Sequence, residues 1–124
     1  MPQAAVHTAA AILSEARGLL LRGWCRRAQA RDRTGNVVPA WSDDAHSWSL
    51  LGALLASWHR GNGESIDEDV FGFSAGARAL GDATEALGDV TGTAALEHWN
   101  DDPGRSVGDV IAAIDRARER FESF

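Results

Sequence analysis

Three features of the sequence predict an all-α, single-domain bundle of four to five helices around a buried central helix. The stretch Ser47 to Trp58, SWSLLGALLASW, is apolar around nearly its whole circumference. Segments with helical hydrophobic periodicity precede and follow it. Extended structure is signalled only by a short hairpin excursion near residues 31–38. The 124 residues fit one domain, 1–124, long enough to bury about two thirds of the surface the unfolded chain exposes.

The first helix is expected from Gln3 or Thr8 to Leu21. Val6, Ala9, Leu13, Ala16 and Leu20 recur on one face, widened by Ile12 and Leu19. Gly23 is placed to end it in a left-handed turn, with Trp24 packing back on the core. Periodicity then fails from Cys25 to Pro39. Arg31-Asp32-Arg33-Thr34-Gly35-Asn36 reads as a turn into Val37-Val38, because Gly and Asn accept positive φ and β-branched residues favour strands. Pro39 bars a helix start before Ala40.

The central helix is expected to start at Ser42, Asp43 and Asp44, whose oxygens suit free N–H groups and the positive dipole end. Trp48, Leu51, Leu55 and Trp58 form a stripe of large side chains; Ala45, Gly52 and Ala56 form a stripe of small ones that would admit a neighbouring helix. Twelve such residues make about 18 Å, short of the ~20 residues that cross a bilayer, so no membrane span is expected.

His59 to Gly63 reads as a loop. A third helix follows, capped by Ser65 or Asp67, with Val70, Phe73, Ala77, Leu80 and Leu87 on one face and a break expected near Gly81. Gly88 to Gly92 is a loop by composition, and Thr93 is placed to cap a short helix through Trp99. The last helix is the clearest. Ser106 and Asp109 form a capping box, with Val107, Val110, Ile111, Ile114 and Phe121 on the inner face and Asp115, Arg116, Arg118, Glu119, Arg120 and Glu122 outside.

Composition bounds the function classes. A net charge of -6 disfavours nucleic acid, whose phosphates need clustered positive charge. The charge is uneven: residues 1–40 carry +4 and the remaining 84 carry -10, which favours an acidic partner or head-to-tail self-association. A single cysteine, Cys25, rules out an internal disulfide and points to a reducing, cytoplasmic location. The first residues have no basic start before an apolar run, so no signal peptide is expected. The chain has no lysine and is rich in alanine and glycine, the bias of a GC-rich genome.

Three pieces carry a family resemblance. They are Gly23-Trp24-Cys25 leading to Ala30-Arg31-Asp32 and a glycine turn, then Trp48-Ser49-Leu50-Leu51-Gly52-Ala53-Leu54, then Trp99-Asn100-Asp101-Asp102-Pro103-Gly104-Arg105-Ser106 before a helix ending Ile114-Asp115-Arg116-Ala117. Over residues 12–118 the chain resembles a family of small proteins of unknown function from actinobacteria and their phages. The resemblance implies a single helical domain of bacterial or phage origin and carries no catalytic residues across. The family pattern often has a cysteine where this chain has Ser49, which weakens any paired-thiol chemistry with Cys25.

Several residues are candidates for chemistry, each with a plainer reading. Cys25 lies beside two arginines, and positive charge lowers a thiol's pKa; a cysteine after a tryptophan is more often a small core residue. Cys25, His46, His59 and His98 lack metal-ligand spacing, so no metal or other cofactor is expected; Asp43 and His46, three apart on one helix face, are the best local pair. Asn100, Asp101 and Arg105 sit in a turn beside Trp99, where Asp and Asn commonly serve only to close the chain. Arg22, Arg26, Arg27, Arg31 and Arg33 suit an acidic partner, or pair with the chain's own acids.

The function expected is a non-enzymatic bacterial or phage interaction or regulatory protein. Its binding set is Arg26, Arg27, Arg31, Asp32, Trp99, Asn100, Asp101 and Arg105. The alternative is a small-molecule-binding protein or small enzyme with a site near Cys25, Arg31, Asp32, Asn100 and Asp101. Two or three tryptophans converging on a cleft rimmed by Arg31, Asp32 and Asn100 would mark that site.

Overall fold

The computed structural model describes residues 8–62 and 75–122. Within them the chain folds as α1 (Ala9–Arg22), β1 (Ala30–Arg31), β2 (Val37–Val38), β3 (Ser47–Trp48), α2 (Leu50–Asn62), α3 (Ala75–Thr91), α4 (Leu96–Asn100) and α5 (Val107–Glu122). The fold is mostly helical, and the all-α expectation with a short hairpin excursion near residues 31–38 is corrected only in that the excursion belongs to a small antiparallel sheet in the order β2-β1-β3. Ala30 pairs with both Val38 and Trp48, so the expected hairpin acquires a third strand.

Thr8 caps α1 by accepting from the Ala11 N–H at 3.0 Å. Ile12, Leu13, Ala16, Leu19 and Leu20 are buried, as their spacing requires. The helix ends at Gly23 for a reason other than the one expected. Its φ is -177°, extended rather than left-handed, and any Cβ there would meet the His46 carbonyl oxygen at 2.3 Å. The glycine is there because residues 23–25 run along β3: Trp48 N–H donates to Gly23 O, and Cys25 N–H to Trp48 O.

The central helix begins later than the apolar run suggests. Ser47 and Trp48 are a strand, Asp43 and Asp44 lie in a loop, and Ser49 is the cap: its Oγ accepts from Gly52 N–H at 3.0 Å. Starting at Leu50 changes which face is inside. Leu50, Ala53, Leu54 and Ser57 are buried, while Leu51, Leu55 and Trp58 pack half-buried at its margin. Gly52 does permit a close approach, but of a loop and not of a helix. A Cβ there would sit 1.8 Å from the Gln29 carbonyl oxygen. The centre of the bundle is shared with α1, which packs against α2, α3, α5 and β3.

Three expected breaks are absent. α2 runs through His59 to Asn62, α3 runs unbroken past Gly81, and it continues through Gly88 to Thr91. Gly81 is exposed with open space around it, so it costs helix propensity only, and the buried face of Ala79, Ala83, Ala86 and Leu87 outweighs that. The Ser65 or Asp67 cap and the Val70 and Phe73 positions lie outside the described residues. Thr93 accepts from Ala95 N–H and shapes the turn before α4 without capping it. At α5 the capping box is as expected: Ser106 N–H donates to Asp109 Oδ2 at 3.0 Å, and Asp109 N–H to Ser106 Oγ at 3.2 Å. No described helix is long and apolar enough to cross a membrane.

Candidate functional site

Where α4 ends, one side chain joins three parts of the chain. Asn100 is fully buried. Its Oδ1 accepts from the Trp24 indole N–H at 2.7 Å and from the Leu50 N–H at 3.0 Å. Its Nδ2 donates to Cys25 O and to Asp101 Oδ1, both at 3.1 Å. An asparagine amide offers two acceptor positions and two donors, and all four are in use. Leu50 N–H and Gly52 N–H are free helix-start donors of α2, so Asn100 and Ser49 together satisfy them.

Around this node the arginines stack and donate inward. The Arg26 guanidinium lies 4.6 Å from the Trp24 ring centroid and donates from Nη2 to the Arg105 carbonyl. Arg105 lies 3.9 Å over the Trp99 ring and donates from Nε to Trp99 O at 3.0 Å. Arg31 donates to Gly35 O and to Arg26 O. Arg26 and Arg31 thus bind backbone carbonyls, and Arg26 a ring, in place of the chain's acidic side chains, whereas Arg105 also pairs with Asp102 at 3.9 Å.

Arg27 differs from its neighbours. Its side chain is exposed, its N–H donates to Asp101 Oδ1 at 2.8 Å, and its φ is +64°. Among the described residues it is the one non-glycine with positive φ, a conformation that costs an L-residue about 1 kcal/mol or more.

The predicted site set is therefore only partly brought together. Arg26, Arg27, Trp99, Asn100, Asp101 and Arg105 share this ledge, with Trp24, which the sequence analysis left to core packing. Asp32 does not join it. Its Oδ1 takes Thr34 N–H, Thr34 Oγ–H and Asn36 N–H, closing the hairpin turn, and those donors hold its carboxyl below the usual range. Nor do tryptophans meet at Arg31, Asp32 and Asn100: the Trp24 indole is bonded to Asn100 itself, and a cleft lined by two tryptophans lies elsewhere, at Trp41 and Trp48.

The thiol is not activated. Burial pushes Cys25 up and outweighs the lowering by the Ser47 hydroxyl and Arg31, while its Sγ–H faces Ala28 O at 3.7 Å. That fits the plainer of the two readings, a small buried core residue, over the one drawn from its arginine neighbours. Half-buried Glu97 is likewise pushed up by burial, opposed by the Ser49 hydroxyl and reinforced by Asp101, and its Oε1 is buried with no hydrogen-bond partner. Asp43 and His46 lie in a loop, not on a helix face. No three His, Cys, Asp or Glu side chains among the described residues are placed to hold a metal.

Fold and site together define a small helical domain whose most unusual side chains are committed to holding its own backbone. The chain belongs to a family of unknown function, DUF6197, which matches residues 4–120. No curated protein and no solved structure matches it.

Proposed function

We propose that the protein is a non-enzymatic binding protein that docks an acidic protein partner on the ledge formed by Trp24, Arg26, Arg27, Trp99 and Arg105. The observation that carries this is the locking of two arginine–tryptophan stacks to one another, ending in Arg27 held exposed at φ +64°. Tryptophan and arginine dominate binding hot spots, and side chains already fixed lose little entropy on binding. Strain at one solvent-facing residue is the kind retained for use. The ledge is positive on a chain of net charge -6, which favours steering of an acidic surface. A buried, unactivated thiol fits the reducing cytoplasm of a bacterium or of a phage-infected cell. Catalysis at Cys25, Arg31, Asp32, Asn100 and Asp101 has less support, because Asn100 is saturated and Asp32 closes a turn.

The test is capture of partners by the tagged full chain from nuclease-treated host lysate at low salt, comparing wild type with Arg27→Glu, Arg27→Gly and Arg27→Lys. A stoichiometric acidic partner should be lost with Glu and Gly and retained in part with Lys. Arg27→Gly should also melt higher than wild type, since glycine accepts positive φ freely. Lower binding with higher stability separates loss of a contact from loss of fold. A partner captured equally by all four chains, or none captured, overturns the reading.

A further inference from the structure

A second site lies on another part of the molecule. Between the end of α1, the loop before β3 and the last turns of α2 is a cleft of about 260 Å³. Trp48 forms part of its wall, its indole N–H already given to Ala40 O at 3.1 Å, so it offers a ring and not a donor. Trp41 stands at the mouth, half exposed and stacked on His59 with centroids 5.5 Å apart and planes at 14°. Two guanidinium groups enter the lining. Arg22 lies 6.0 Å from the Trp48 centroid, and Arg60 is held through Nη1 by Glu15 at 3.3 Å. Asp43 is the one carboxylate among the described residues that line it.

We infer that this cleft binds a one-ring carboxylate. The volume sets the size: it is just under the ~300–1,000 Å³ of drug-sized ligand sites, which leaves room for a single ring and its charged group. The walls set the body, since stacked aromatic rings favour a flat apolar partner. The charges set the head group. A guanidinium fork matches a carboxylate bidentately; Arg60 is already paired with Glu15, so Arg22 is the guanidinium of the described lining left to take a head group, and one fork suits a monoanion better than a polyphosphate. Arg22, Asp43 and Ala45 also line a wider hollow of about 470 Å³, which gives a ring substituent a way out. Arg22, without a hydrogen-bonded partner among the described residues, and the half-exposed Trp41 contrast with Arg26 and Arg105 on the ledge, whose guanidinium groups are spent on carbonyls.

The experiment is a titration of the full chain with sodium benzoate at constant ionic strength, following tryptophan indole N–H signals by NMR. Benzoate should shift the Trp41 and Trp48 signals with a millimolar or tighter Kd and leave Trp24 and Trp99 in place. Cyclohexanecarboxylate and inorganic phosphate should shift them at least tenfold more weakly. Arg22→Gln should raise the Kd tenfold or more, with unchanged Trp24 and Trp99 signals reporting an intact fold; Arg60→Gln, a second exposed change, should weaken binding less. No shift up to about 10 mM, ten times a millimolar Kd, overturns the inference. So do equal shifts from phosphate, or an Arg22→Gln Kd equal to wild type.

Discussion

Asn100 and Asp32 do the same thing in opposite surroundings. Each uses one side-chain oxygen to gather several donors: the Trp24 indole and the Leu50 amide for Asn100 Oδ1, and two backbone amides together with a hydroxyl for Asp32 Oδ1. Asn100 has no exposure and its partners lie 50 and 76 residues away. The Asp32 turn is solvent-exposed and its partners are two and four residues away. Water competes for the groups of the second and not of the first, so losing a partner is costly in one place and mild in the other. The number of hydrogen bonds at a residue is therefore a poor guide to what it contributes.

The largest test of that contrast is Asn100→Leu. It leaves the Trp24 indole N–H, the Leu50 N–H and the Cys25 carbonyl without partners, and should destabilise by about 3 kcal/mol or more in urea unfolding. Gly52→Ala tests the same neighbourhood sterically. Its Cβ would need the Gln29 backbone to retreat, at roughly 1–3 kcal/mol. If Asn100→Leu costs no more than Asp32→Ala, the argument from burial fails.

Asp32→Ala should have the smaller effect, with a pH signature. A carboxyl held below its ordinary pKa by folding contributes stability above that ordinary value and loses it as pH falls through the depressed one. Wild type should therefore lose more stability than Asp32→Ala on acidification below about pH 4. Glu97 sharpens the comparison from the other side. Its pKa is raised, so the folded state binds the proton more tightly, and stability falls as pH rises from the ordinary carboxyl value through the raised one. Glu97→Gln should melt slightly higher than wild type at pH 7, and the difference should vanish below about pH 4.

Much of the fold was legible where local chemistry decides it. The α1 face, the Asp32 turn and the Ser106–Asp109 box all involve residues within a few positions of each other. The sequence misled where a distant contact decided. Nothing local says that Trp48 is a strand residue, because the reason is residues 23–25 on one side of it and Ala30 on the other. The same holds for Gly52, whose small size was readable but whose neighbour, Gln29, was not. At the site, an ordinary turn beside Trp99 was readable, although Asn100 is the last residue of α4 and Asp101 its C-cap. That Asn100 reaches Trp24 and Leu50 was not, since an amide in a turn has the same local pattern whether it faces solvent or the core. Trp41, His59 and Arg22 gave no joint signal, being brought together from a loop and the ends of two helices.

The Asn100 node also sets an order in time. Synthesis delivers Trp24 first and Leu50 second, each with an N–H whose acceptor does not yet exist, and the acceptor arrives 76 and 50 residues later. α1, the small sheet and the start of α2 must therefore leave the ribosome incomplete, and a chain halted before residue 100 has no way to close them. Loop closures of that length come late and slowly. Completion of the core therefore waits on the synthesis of residue 100.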